Sequence, residues 1–395
     1  MLNSSPTARD CIDMLGKLVS FDTTSRNSNL ALIEFVREEL AAIGVESRLT
    51  FNEDRSKANL WATMGPQDVG GVVLSGHTDV VPVDGQDWSS DPFELHEREG
   101  RLFARGTCDM KGFVACSLAH AKAMVDADLK TPLHFAFSYD EEVGCTGVKG
   151  LIEDMRDNLP APLAVIVGEP TSMQIVGAHK GGHSYMTTVY GLDGHSSAPD
   201  LGANAIFYAA RILGFIENLS IRLKQTSDPD NGFTPHYTTV DCGTIEGGTA
   251  QNIIPASCQF GWGFRNIPGD DTDLLAQEVF DFVEAEIEPH LKAVSPSCGV
   301  THELRHHLPA MIPDEQSPAE TLLRHLTGLN QSGRVAYGTE AARFQTAGVP
   351  GVIFGPGSIK QAHLPDEYID VSQMEACHDF MLKLTNWAAN NSEIA

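Results

Sequence analysis

Histidine, aspartate and glutamate recur at one kind of place in this 395-residue sequence. Each stands just after a short, β-branched, apolar run. Val72–Leu74 leads into Gly76-His77-Thr78-Asp79, and Leu133–Phe137 leads into Tyr139-Asp140-Glu141-Glu142. Leu163–Val167 leads into Gly168-Glu169-Pro170, and Gly351–Phe354 leads into a Gly/Pro loop carrying His363. In an open α/β sheet, ligands bind beyond the carboxyl ends of the strands. Strand ends that bear imidazoles and carboxylates therefore predict a metal centre. Asp109 is a fifth candidate, in the Gly-bounded stretch from Arg105 to Gly112 that precedes a helix. Two imidazoles and three carboxylates suit zinc or a similar first-row ion. Five protein ligands exceed what one catalytic zinc uses, so two ions sharing a carboxylate are the better count. Such a pair, about 3.5–4 Å apart, activates water and polarises a carbonyl. Of the adjacent Glu141 and Glu142, one would bind metal and the other would take a proton from water.

The elements that must position these groups follow from the apolar periodicity. Residues 9–19 and 29–43 read as helices, with Leu30, Ile33, Val36 and Leu40 on one stripe and Gly44 as a stop. Helical stretches at Gly112–Val125 and Val148–Met155 separate the apolar runs. Strands alternating with helices predict a mostly parallel sheet covered on both faces. From about residue 183 the style changes. Ser184–Tyr190 alternates polar and apolar, a helix is expected over Ala203–Glu217, and Tyr237–Ile245, Ser257–Phe264 and Gly299–Leu308 read as strands around an Asp271–Ile287 helix. A final helix over about 372–389 returns to the first style. The expected fold is α/β. A discontinuous metal-binding catalytic domain (1–182 and 309–395) carries an inserted α+β lid or dimerisation domain (183–308).

Composition narrows the function further. Lys+Arg number 27 against 53 Asp+Glu, a formal net charge of −26, which disfavours nucleic acid and anionic membranes. The longest apolar runs are about seven residues where a span needs about 20. The opening MLNSSPTARDCIDML has no basic region leading into an apolar one, so no secretory leader is expected. Eight cysteines without a C-x-x-C read as reduced thiols in a cytoplasmic protein.

Four motifs taken together resemble the M20 family of metallopeptidases and deacylases: Ser75-Gly-His77-Thr-Asp79-Val-Val-Pro82, Gly106-Thr-Cys-Asp109-Met-Lys-Gly112, Asp140-Glu-Glu-Val-Gly144 and Gly168-Glu-Pro170. The likeness spans nearly the whole chain, insert included. It implies a di-zinc exopeptidase-like domain in which His77, Asp109 and Glu169 serve one or other of two Zn2+ ions, with Asp109 bridging. Glu142 and His363 complete the second site, Co2+ is an expected substitute, Glu141 is the general base, and Asp79 orients His77. In the insert, the resemblance has His195 stabilise the oxyanion of a neighbouring subunit's site, and it has Asn252 and Arg265 grip substrate. Arg is apt for a bidentate hold on an amino-acid carboxylate.

Within the family, the stretches Ser25–Leu30, Tyr337–Ala341 and Gly355–Glu367 resemble the branch that deacetylates N2-acetyl-ornithine, a step of arginine biosynthesis. That branch usually has Lys after the last histidine, where this chain has Leu364. Glu340 is read as facing the substrate's side-chain amine. The implied partners are a small N-acylated amino acid and a second copy of the chain. Acetylcitrulline, succinyl-diaminopimelate and dipeptides fall within the same chemistry. A non-catalytic metal-dependent binding protein is the other reading, and it would tolerate loss of Glu141.

His302-Glu303-Leu-Arg-His306 is literally H-E-x-x-H, a zinc-peptidase signature that works only on a helix. Pro296, Gly299 and Pro309 bracket it, so a strand is expected there instead. No G-x-S-x-G is present, which removes a serine-hydrolase elbow.

Overall fold

The computed structural model describes residues 6–394. Among them an eight-stranded sheet runs in the order Ser47–Phe51, Ala58–Met64, Leu133–Ser138, Val72–His77, Ala164–Val167, Gly351–Ile353, Val176–His179, Gly333–Val335. The strands from Leu133–Ser138 to Gly351–Ile353 are parallel to one another. Antiparallel neighbours flank them. The parallel strands are buried along their whole length, which is why they read as continuous apolar runs and not as alternation.

Helices Ala8–Val19, Gly112–Asp126 and Val371–Asn390 turn apolar stripes into the core that covers this sheet. The first begins on a capping box. Asp10 N–H donates to Thr7 Oγ1 at 3.3 Å while Thr7 N–H donates to Asp10 Oδ2 at 2.7 Å.

The chain forms two compact units. One comprises the described residues through Ala178, Pro313–Gly333 and the residues from Thr339 onward. The other comprises His179–Ile312 and Arg334–Gly338. The second unit is an antiparallel sheet in the order Thr239–Gly247, Ser257–Arg265, Gly182–Tyr190, Gly299–Leu308. Alternate residues of Gly182–Tyr190 are buried, and Trp262 Nε1 donates to Thr187 Oγ1 at 2.8 Å beneath the helices. The helix expected at Ala203–Glu217 runs on over Ala205–Thr226, because its apolar face continues through Ile216 and Leu219. The helix expected at Asp271–Ile287 is Thr272–Phe282, followed by a π turn at Val283–Ile287 and a further helix at Glu288–Val294.

No helix among the described residues is long and apolar enough to cross a membrane. All eight cysteines are unpaired.

Four strands of the large sheet, Ser47–Phe51, Ala58–Met64, Val176–His179 and Gly333–Val335, escape a periodicity search. Ser47–Phe51 and Ala58–Met64 pair antiparallel at one side of the sheet. The second is nearly all buried, yet it contains Asn59. That polar residue is occupied on every side. Its Nδ2 donates to Gly147 O at 2.9 Å and to Thr50 Oγ1 at 2.8 Å, and its Oδ1 accepts from Tyr139 N–H at 3.2 Å. Asn59 thereby ties down both ends of the 139–147 loop.

The H-E-x-x-H segment lies on the Gly299–Leu308 strand, opposite Gly182–Tyr190, with an irregularity between Leu304 and His306. His302 stacks against Phe280 with ring centroids 4.3 Å apart and shares a 2.8 Å hydrogen bond with Thr187 Oγ1. Burial lowers its pKa from 6.5 to about 4. The unfolded chain therefore binds a proton that the folded one does not. This contribution to stability is present above about pH 6.5 and is lost as the pH falls through about 4. His302→Ala should flatten the acid limb of a stability-against-pH curve and lower stability by about 1–3 kcal/mol, with turnover and metal content unchanged. Loss of bound metal in this variant would restore the helical zinc-peptidase reading.

Candidate metal centre

His77 ends its strand inside the sheet, and the neighbouring strand Ala164–Val167 delivers Glu169 beside it. The chain passes from Val72–His77 to Leu133–Ser138 on one side and then crosses to Ala164–Val167 on the other. The crevice at that reversal is where an open α/β sheet accepts a ligand. His77 Nε2 lies 3.7 Å from Glu169 Oε1 and 3.0 Å from Asp109 Oδ1.

Asp109 turns its other oxygen to a second imidazole. Oδ2 is 3.3 Å from His363 Nε2, which is 3.1 Å from Glu142 Oε2. One carboxylate thus stands between two imidazole–carboxylate pairs. His77, Asp109 and Glu142, and likewise His77, Glu141 and Glu169, bring one ligand atom each to within 4.8 Å of one another. His363 is half exposed, whereas His77, Asp109 and Glu169 are buried. Both Asp140 and His363 adopt positive φ, 55° and 66°. Such a conformation is uncommon for residues other than glycine and is concentrated at functional sites.

The electrostatics explain what this arrangement lacks. Burial drives the carboxyl of Glu169 well above the ordinary range, and the nearby charges of Asp109 and Glu141 add to the effect. Burial does the same to Glu141, and it moves Glu142 up to about 7. Burial opposes the charge on His77, yet the Asp109 hydrogen bond and the Glu169 charge outweigh it and raise its pKa. Hydrogen bonds that His363 donates to Asp109 and Glu142 move its pKa up to about 10. The cluster is therefore a set of acids short of positive charge. Glu169 Oε1 is buried with no hydrogen-bond partner. A divalent cation fits this donor set of carboxylates and imidazoles.

Side chains around the cluster fix its geometry. Asp79, expected to orient His77, presents its backbone carbonyl 2.9 Å from His77 Nδ1, closer than its carboxylate oxygen at 3.6 Å. That contact holds the Nδ1 proton and leaves the Nε2 lone pair for a ligand. The Asp79 carboxylate does other work. It accepts N–H bonds from Glu141 at 3.1 Å and Glu142 at 3.3 Å and a hydroxyl bond from Ser25 at 2.7 Å. Cys145 Sγ donates to Glu141 Oε1 at 3.1 Å.

Glu367 supports Asp109 in the same way. Its Oε1 accepts from Cys108 N–H at 2.9 Å and from Asp109 N–H at 3.1 Å, while Oε2 pairs with Arg105 at 2.8 Å in full burial. The motif reading contained Arg105 and Glu367 but gave them no task. The signal that would have found them is a contact 262 residues apart in sequence. Glu340 is 1% exposed, accepts from Ser75 Oγ at 3.3 Å through Oε2, and has no partner at Oε1. Burial moves it up to about 7.

The remaining candidates lie in the second unit. His195 is exposed, pairs with Ile253 across a two-residue ladder, and shares a 2.7 Å hydrogen bond with Ser197 Oγ. Asn252, beside it, accepts Ser196 N–H at 3.0 Å through its carbonyl. Arg265 ends the Ser257–Arg265 strand and is exposed.

Known proteins resemble this chain over most of its length. The model of peptidase family M20/M25/M40 matches residues 73–386. The chain is 38% identical to acetylornithine deacetylase of Myxococcus xanthus over 377 residues, 92% of this chain and 93% of that protein. It is 35% identical to acetylornithine deacetylase of Proteus mirabilis over 364 residues, 92% of this chain and 91% of that one. A tripeptidase from Staphylococcus aureus shares the fold, with a TM-score of 0.76 at 18% identity, covering 98% of this chain and 100% of that structure.

Glu367→Gln leaves the buried Arg105 without its counter-charge and weakens the hold on Asp109. It should cost about 3–5 kcal/mol in denaturant unfolding and reduce metal affinity roughly 10–100-fold in a titration. Unchanged metal affinity would show that Asp109 keeps its place without this support.

Proposed function

The chain belongs to peptidase family M20/M25/M40 and is a hydrolase, and from that premise we propose that it removes the acetyl group from N2-acetyl-L-ornithine to give L-ornithine and acetate. The observation that carries the reading is Asp109, whose two oxygens face His77 and His363 separately. That is the placement a carboxylate shared by two cations requires. We assign His77, Asp109 and Glu169 to one Zn2+ and Asp109, Glu142 and His363 to the other, with Co2+ as a substitute. Cations held there would supply the positive charge that activates water and polarises the acyl carbonyl.

The chain's own residues perform the proton chemistry. Glu141 takes a proton from water as the water oxygen attacks the acyl carbon, and it returns a proton to the amide nitrogen as the C–N bond breaks. Asp79 and Cys145 hold that carboxylate and its backbone in place. His195 donates to the oxygen on which charge develops, Arg265 and Asn252 hold the substrate's carboxylate end, and Glu340, with one buried oxygen still without a partner, meets the side-chain amine. The substrate assignment rests on the two deacetylases at 35–38% identity. It places the protein in arginine biosynthesis in the cytoplasm, where unpaired cysteines persist.

We further assign a homodimer through the second unit. That unit exposes the apolar side chains of Leu201, Phe207, Ile245 and Ile253, which a second copy would cover. His195 would then serve the neighbouring subunit.

Release of ornithine from N2-acetyl-ornithine, measured before and after chelation and zinc restoration, tests the reading. Chelator-sensitive turnover restored by zinc is expected. Absence of turnover in the zinc-restored protein, with turnover of another acyl amino acid or a dipeptide, would move the substrate within the family.

Glu141→Gln should keep its full metal content and lose roughly 10²–10⁴ in kcat. Near-normal turnover would remove Glu141 as the base and bring forward the binding-protein reading.

A further inference from the structure

Three helices of the first unit bring together soft donors that take no part in the cluster described above. Cys11 lies on Ala8–Val19, His120 on Gly112–Asp126 and His378 on Val371–Asn390. One ligand atom from each lies within 4.8 Å of the others. Cys11 and His120 are completely buried, and His378 is half-buried. The two imidazole rings sit 4.9 Å apart at 47°, and Cys11 Sγ is 4.0 Å from His120 Nδ1.

The hydrogen bonds define what these rings offer. His120 Nδ1 lies 2.8 Å from the carbonyl oxygen of Cys116. That bond fixes the neutral tautomer with the proton on Nδ1 and leaves Nε2 as a bare lone pair. His120 Nε2 is buried and has no partner, and neither does His378 Nδ1. A buried polar atom without a partner costs about 1–3 kcal/mol, and two of them belong to this cluster. An imidazole that donates one N–H to a carbonyl and keeps the other nitrogen free is the ordinary form of a metal-bound histidine. Cys11 also contacts the Cys116 thiol, which contacts Cys377, so the patch is rich in sulfur.

We propose that Cys11, His120 and His378 form a separate, structural site for a zinc-class cation, one that accepts thiolate and imidazole together and fastens these three helices to each other. Ligand atoms around one tetrahedral zinc stand roughly 3.3–3.8 Å apart, so closing the site requires the side chains to draw inward and His120 to present Nε2 to the ion. Binding breaks the Cys11 S–H bond and forms the S–metal bond, and the proton passes to solvent. The partly exposed His378 leaves room for water in the fourth position.

This site is the only one of the two that would offer a thiolate ligand, which separates its test from that of the proposed activity. The apoprotein is loaded with Co2+ and its near-ultraviolet spectrum is recorded for sulfur-to-cobalt charge transfer, alongside metal analysis. The band is expected in the wild type, and it should survive in Asp109→Ala, whose own metal centre is disabled. It should vanish in Cys11→Ser and in His378→Gln, each with one metal equivalent fewer per chain. Zinc should raise the melting temperature of Asp109→Ala but not of Asp109→Ala combined with Cys11→Ser. A cobalt-saturated wild type without the band overturns the proposal, whether or not the Cys11 variant folds. So does a band that persists in Cys11→Ser and disappears in Asp109→Ala, since the thiolate would then belong to the Asp109 centre.

Discussion

A buried carboxylate can face two imidazoles at once only if something behind it sets its direction. Asp109 has almost no solvent contact, so its orientation is inherited from its backbone. That backbone is held by Glu367, through N–H bonds from Cys108 and Asp109. Glu367 is itself buried and tolerable there because Arg105 meets its charge. Without the guanidinium the carboxylate would take up a proton, its bonds to the backbone would weaken, and the two oxygens of Asp109 would lose their separate aims. The divergence of His77 and His363 thus depends on an ion pair that touches neither histidine.

The same arrangement recurs on the other side of the cluster. Asp79 follows His77 by two residues, and its backbone carbonyl fixes the ring while its carboxylate gathers the N–H groups of Glu141 and Glu142. One short segment therefore sets the positions of a ligand on one strand and of two acids on the loop after another. Asn59 completes the hold by binding Tyr139 at the start of that loop and Gly147 at its end. The loop is left little freedom to carry its acids away from the strand ends, and a catalytic proton transfer needs that kind of fixed distance.

The difference between these two kinds of residue decided what the sequence could reveal. The proposed ligands stand next to buried parallel strands, and a buried strand is a continuous apolar run, so His77, Glu142, Glu169 and His363 announce themselves by local context. Their supports do not. Glu367 acts on residues more than 250 positions earlier, and Asn59 interrupts an otherwise apolar run so that Ala58–Met64 loses its strand signature. Helix extent was similarly hidden. The Ala205–Thr226 helix continues because Ile216 and Leu219 find a core in the sheet beneath, a fact of packing and not of spacing. Cys11, His120 and His378 are also separate in sequence, and only the packing of three helices makes them neighbours.

Charge then sets the conditions under which the fold is comfortable. In the chain alone, burial and the nearby charge of Asp109 move the Glu142 carboxyl up to about 7. A group raised in this way contributes stability below the unfolded value and loses it as the pH climbs through the folded one. Buried histidines such as His134, lowered by burial to about 4, act in the opposite sense and lose their contribution as the pH falls. Near neutrality the histidines are satisfied and the acids are not. A cation in place of the protons would relieve the acids there, so the crowding that costs the fold stability is also what fits the cluster to a metal. The supports around Asp109 and Asp79 hold the acids close in spite of their repulsion, and the repulsion is the reason a rigid backbone frame is needed at all.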